Sequence, residues 1–160
     1  MAVPGYAGKI LRVDLTNERL IEEELDEATL RKWVGGVGIG AKYLYEEVPT
    51  TATWDDPENR LVVATGPLGG TRAGGSGTIS LSAKGCLTNG ATSTQANGFM
   101  GAFMKFAGYD ALIFQGAANR WLYLYLHDGV AELRDAGHLL GKDTWETEDA
   151  LKGELGYLEK

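Results

Sequence analysis

About half of the chain's 23 glycines fall between Ala64 and Asp110, in ATGPLGGTRAGGSGTISLSAKGCLTNGATSTQANGFMGAFMKFAGYD. Glycine is costly to order and adds no side chain to a core. A run this dense serves backbone conformations or close approaches that other residues cannot supply. The stretch therefore predicts a large ligand touched mainly by main chain. Two short apolar runs bracket it, Leu61 to Thr65 and Ala111 to Gln115, and both read as buried strands.

Inside the stretch, Ile79, Leu81 and Ala83 alternate with Thr78, Ser80 and Ser82. This predicts a strand over Gly77 to Lys84 with one apolar and one hydroxylated face, the latter open either to an extended hydrogen-bonding ligand or to solvent. From Gly98 to Ala107, Phe99, Phe103 and Phe106 recur at helical spacing, with Met104 beside them and Gly108 as the stop. Such a stripe reads as core rather than as a cofactor box. The helix follows Thr94-Gln95-Ala96-Asn97, so its first N–H groups and the positive end of its dipole point at whatever lies there, a position suited to phosphate.

The flanks read as scaffold. Leu11, Val13 and Leu15 alternate with charged residues in a strand over Lys9 to Leu15, and Thr16-Asn17-Glu18 turns into a second strand from Arg19 to Glu24. Asp26 stands as the N-cap of a short amphipathic helix ended by Gly35. Gly36 to Ala41 fits G-x-G-x-x-A, but the residues before it, EATLRKWV, are polar and helix-periodic where a dinucleotide turn needs a buried strand. It is read as a helix-to-helix connection leading to a helix over Lys42 to Glu47. Thr53 to Arg60 carries turn chemistry. Trp121 to Leu126 pairs through His127-Asp128-Gly129 with Val130 to Arg134, and Asp143 with Glu146 forms a capping box for a helix to Leu155. A hairpin followed by a helix thus occurs near both ends.

Composition narrows the function. At 160 residues the chain reads as one soluble α+β domain, residues 1–160, with no catalytic machinery in view. A net charge of −7 with scattered basic residues argues against nucleic acid and anionic membranes as partners. No apolar run approaches the roughly 20 residues that span a bilayer, Met1 to Gly8 has no leader pattern, and the single cysteine fits a reducing, cytoplasmic compartment. Cys86 has no histidine near it in sequence and reads as a bystander rather than a nucleophile. His127 and His138 stand apart, without ligand spacing for zinc, and read as surface residues. Glu22 to Glu24 and Glu46-Glu47 read as solvated charge runs.

Taken in order, ILRVDLT, WVGGVGIGAKYLYEEV, DPENRLVVATGPLGGT, KFAGYDALIFQG and ELRDAGHLLGK form a series that resembles the N-terminal domain of the tungsten-containing aldehyde ferredoxin oxidoreductases, from about Gly8 to Gly156. The resemblance implies a base of two β-sheets with short flanking helices, related by a pseudo-two-fold, on which a tungsten bis-pyranopterin lies. It implies magnesium bridging the pterin phosphates, and oxidation of an aldehyde and water to a carboxylic acid. Electrons then pass through a [4Fe-4S] cluster to ferredoxin. The cluster's cysteines belong to later domains, so the implied partners are those domains or a partner subunit, and the 160-residue chain alone is expected to be inactive.

Carried over by position, the implied cofactor-binding residues are Gly75, Ser76, Gly77 and Thr78 in one segment and Gln95, Ala96, Asn97 and Gly98 in another. The Gln95 backbone carbonyl corresponds to a magnesium ligand. The family commonly has arginine where Thr78 stands and asparagine where Gln95 stands; losing the arginine removes a two-donor phosphate partner, for which Arg72 is the nearest substitute. Those departures support an alternative, a non-catalytic interaction module that keeps the fold without cofactor. A cavity wall separated from its other domains is also expected to self-associate as a homo-oligomer.

Overall fold

The fold is that of a computed structural model describing residues 3–157; the first two residues of the Met1 to Gly8 segment and the last three of the GYLEK terminus lie outside the described residues. Among the described residues it has eight strands, four α-helices and a short 3-10 turn at Gly137–Leu139. Strands β1 (Lys9–Asp14) and β2 (Arg19–Glu24) form the expected hairpin, followed by α1 (Glu27–Trp33) and α2 (Val37–Glu47). Next come β3 (Arg60–Ala64), β4 (Ile79–Lys84), β5 (Ala91–Ala96), α3 (Met100–Phe106) and β6 (Ala111–Gln115). The hairpin β7 (Leu122–His127) and β8 (Val130–Asp135) and the helix α4 (Thr144–Glu154) complete the order.

Six strands make one sheet in the order β2-β1-β6-β3-β4-β5, and β7-β8 make a second, smaller one. The central neighbours β1 and β6 run parallel, with Ile10 opposite Ala111, while β3 is antiparallel to both β6 and β4. Alternation along each strand sends Ile10, Val62, Ala64 and Ile113 to one face, where α1 and α2 cover them through Leu30, Ile39 and Tyr43. Leu11, Val13, Val63 and Leu112 point the other way, against Met104 of α3 and the inner residues of β7 and β8. The architecture is α+β with two unequal sheets, and the apolar bracket strands of the glycine stretch lie side by side at its centre.

Several expectations need correction. Gly36 to Ala41 is no connection: all of it but Gly36 belongs to the first turns of α2. The reason lies beneath. Ser80 and Ser82 of β4 are only 4% and 3% exposed and face α2, where a Cβ on Gly40 would stand 2.5 Å from Ser82 Cβ. The hydroxylated face therefore supports a helix brought close by glycine, with Ser82 sealed beneath Gly40 and Ser80 also bordering the cleft of the glycine stretch. Their hydroxyls have no hydrogen-bond partner.

Thr94 to Ala96 lies in an edge strand rather than in a lead-in to helix. Glu47 is not solvated either. It accepts from Arg12 Nη1 at 2.8 Å and from Arg60 Nε at 3.0 Å, while Arg12 Nε donates to Glu23 at 2.5 Å. The four side chains tie β1, β2, α2 and β3 together, and the Arg12 guanidinium, 11% exposed, sits between the two carboxylates.

Candidate functional site

The glycine stretch opens a cleft of about 280 Å³ beside the sheet. Gly36 at the head of α2 forms one wall, Ala64 and Thr65 at the end of β3 the floor, and the loop from Gly66 to Thr78 the other wall. Gln95 reaches it from β5, through the pairing of Ser80 with Gln95. The wall geometry follows from local bonds. Thr65 Oγ1 donates to the Thr78 carbonyl at 3.1 Å, holding the end of β3 to the end of the loop, and Gly36 N donates to the Thr65 carbonyl at 3.0 Å. Thr78 N closes a tight turn onto the Gly75 carbonyl at 3.1 Å, with Gly75 at φ +77°, a conformation that L side chains disfavour.

Four of the eight residues implied as contacts, Gly75, Ser76, Thr78 and Gln95, line this cleft. Ala96, Asn97 and Gly98 continue from Gln95 along its rim, and Gly77 meets them there: a Cβ at Gly77 would fall on the Gly98 carbonyl, 2.7 Å from its carbon. Gly101 N also donates to the Gly77 carbonyl at 3.2 Å, and Thr78 Oγ1 contacts both the Gly75 carbonyl and the Asn97 carboxamide. A hydroxyl has one proton, so it serves one of those acceptors, and the Asn97 amide N–H meets the hydroxyl oxygen when the proton goes to Gly75. The two segments, separated in sequence, thus form one surface built mostly of main chain.

Among the described residues no lysine or arginine lines the cleft. Arg72 stands exposed on the loop outside it. Among the described residues no group of three His, Cys, Asp or Glu side chains is placed to hold a metal. Cys86 is exposed in the turn between β4 and β5. His127 stacks on Tyr125 at 4.4 Å, and His138 lies 3.2 Å from Glu154, both at the far sheet. The carboxylates and phenols whose titration is displaced lie elsewhere. Burial pushes the Tyr109 hydroxyl up to about 12, with its hydrogen bond to Glu22 adding to the shift, and burial likewise holds Tyr43 at about 12.

The aromatic stripe of α3 departs most from expectation. Phe99, Phe103 and Phe106 are 77%, 63% and 66% exposed; only Gly101 and Met104 of this helix are buried. Periodicity identified a real face, yet it turns away from the core.

A sequence model described as "Aldehyde ferredoxin oxidoreductase, N-terminal domain" matches residues 10–160. The chain belongs to this family. It is 44% identical over 152 residues to the tungsten-containing aldehyde ferredoxin oxidoreductase of Pyrococcus abyssi, covering 95% of this chain and 25% of that protein. It is 39% identical over 135 residues to the aliphatic sulfonate oxidoreductase, WOR-like subunit, of Pyrococcus furiosus, covering 82% of this chain and 21% of that one. The solved active site complex BamBC of benzoyl coenzyme A reductase, in complex with 1,5-dienoyl-CoA, superposes with a TM-score of 0.92 and 35% identity over 97% of this chain and 24% of that one. The chain thus spans about a quarter of the length of the relatives it matches.

The joined rim of Gly75 to Thr78 and Gln95 to Gly98 is built mostly of main chain, a surface that a planar, phosphorylated ligand can approach without side chains in the way. As an edge strand, β5 also leaves alternate carbonyls unpaired on its outer side.

Proposed function

We propose that this chain is the pterin-facing platform of a tungsten-dependent oxidoreductase, a single domain over residues 1–160. Gly75 to Thr78 and Gln95 to Gly98 would hold one side of a bis-pyranopterin, and the Gln95 backbone carbonyl would serve as a ligand to its magnesium ion. When bound, the tungsten cofactor would supply the two-electron redox chemistry for oxidation of an aldehyde and water to a carboxylic acid. This chain's own part is to bind and orient the pterin and to exclude water from one flank. A [4Fe-4S] cluster would pass the electrons on to ferredoxin. One cysteine in 160 residues cannot hold a cluster that takes about four thiolates, so those ligands belong to further domains or a partner subunit. Isolated, the chain is inactive and self-associates. No described helix is long and apolar enough to cross a membrane, and the lone exposed thiol suits the cytoplasm.

The junction of the two glycine segments carries this reading. Gly77→Ala drives a methyl group into the Gly98 carbonyl and parts them. In the assembled enzyme we expect this variant to lose at least tenfold in tungsten and pterin content while the chain stays folded. Unchanged metal and pterin content would sink the assignment. Turnover of aldehyde with a viologen dye by the 160-residue chain alone would overturn its inactivity. A second reading, an interaction module without cofactor, draws on the lack of any cationic side chain lining the cleft; it predicts an assembly free of tungsten and pterin.

A further inference from the structure

We infer that the exposed face of α3 is the surface on which the rest of the enzyme's own polypeptide docks to close the cleft. This rests on the reading of the chain as one domain of a larger oxidoreductase. Phe99, Phe103 and Phe106 form a continuous row, with ring centroids 6.1 Å apart from Phe99 to Phe103 and again from Phe103 to Phe106. Aromatic side chains bury about 150–250 Å² each, so at roughly two-thirds exposure three of them present on the order of 300–500 Å². Met100, itself 51% exposed, extends the row. That equals the largest apolar patches found on monomers and makes about half of one side of a stable interface.

Charge is absent from the row. Lys105 is the one charged residue of α3, and its ammonium is committed to Asp110 and to the Gly5 carbonyl at 2.9 Å. The face therefore selects an apolar, uncharged partner surface. Two observations identify that partner. Chains matching this one are about four times its length, so most of each relative lies beyond this domain. The row is also continuous with the cleft: a Cβ at Gly70 would stand 2.9 Å from the Phe106 ring, Gly101 N bonds the Gly77 carbonyl, and Phe99 directly follows Gly98. A body resting on α3 thus overhangs the cleft rim. A second copy takes this face only in the isolated chain, because each copy carries a net charge of −7 and self-pairing brings those charges together, so the remaining portion displaces it.

The test titrates the 160-residue chain against the remaining portion of its enzyme supplied as a separate polypeptide, with circular dichroism checking each variant's fold. Phe103→Glu is expected to weaken binding at least tenfold, Phe103→Leu less than threefold, and Trp145→Glu, on the exposed face of α4, not at all. Equal binding by Phe103→Glu and the parent chain would overturn the inference. So would a self-associated form, held through the same row, that the remaining portion cannot displace. Tungsten and pterin are assayed in the same samples. A complex that forms without them yet still depends on Phe103 keeps the docking surface and removes the cofactor reading.

Discussion

Val34, between α1 and α2, has φ +62° and ψ −58°, with Gly35 N donating to the Trp33 carbonyl at 2.7 Å. This is a γ-turn of the rare, strained hand at a β-branched residue, and the side chain is mostly in solvent. Relief of the Cβ clash is worth about 1–2 kcal/mol, and added glycine flexibility in the unfolded chain takes back about 0.5–1. Val34→Gly is therefore expected to raise stability by about 0.5–1 kcal/mol, seen as a higher urea midpoint with an unchanged slope. The turn aims Gly36 at the cleft, so strain and site adjoin. No sequence pattern announces this: WVGG reads as a helix stop, and the left-handed step is expected at the glycines, which take φ +157° and +50°, rather than at the valine before them. Ser80 and Ser82 pose a related difficulty. Alternation separates their face from that of Leu81, but only tertiary packing reveals that the glycines of α2 press down on it.

Among elements, the ion-pair network around Arg12 joins three strands and a helix. Burial pushes the Glu47 carboxyl up, but hydrogen bonds from Arg12 and Arg60 outweigh it and leave the group below its ordinary 4.5. A depressed folded-state value means that the stabilisation is complete above pH 4.5 and fades as pH falls through the folded value. Glu47→Gln is expected to lose about 1.5–3 kcal/mol at neutral pH, the range for hydrogen bonds to a charged group. Urea unfolding should show parent and variant converging in acid below that range. Elements with local signals were legible in the sequence. The Asp143–Glu146 capping box fixes the start of α4, and Asp128-Gly129 fixes the β7–β8 turn. Strand β5 was not legible, because ATSTQA has no apolar alternation and every residue in it is exposed. Its existence depends on pairing with β4. The α3 stripe was legible as a face but not by orientation, since periodicity is silent on what covers a face.

Across the whole molecule, burial is uneven. Strand β6 lies between β1 and β3 with Ala111, Leu112 and Ile113 buried, whereas α4 has no buried residue and touches the sheet through pairs such as Tyr123 with Glu154 at 2.7 Å. Opening free energies follow burial. Native-state hydrogen exchange should therefore be slowest in β6 and fastest among the helices in α4. Protection of α4 equal to that of β6 would contradict this ordering. The outline of the site was legible at this scale because the family motifs run nearly the whole chain. The joining of its two segments was not, because it arises from the Gly77–Gly98 approach between loops that sequence keeps apart.

The parallel pairing of β1 with β6 sets the order in which the protein can be made. Ile10 faces Ala111 and Gln115 faces Asp14, so the first hairpin leaves the ribosome without its neighbour. At about 5–20 residues per second, synthesis of the roughly 100 intervening residues takes on the order of 5–20 seconds. Throughout that interval β1 has only its hairpin partner β2 beside it in the sheet, and Leu11 and Val13 lack the cover that α3, β7 and β8 later bring. Closing so long a loop makes the central pairing slow as well as late. The glycine stretch is born inside this window, and its cleft takes shape only when β6 arrives to join the two ends of the sheet.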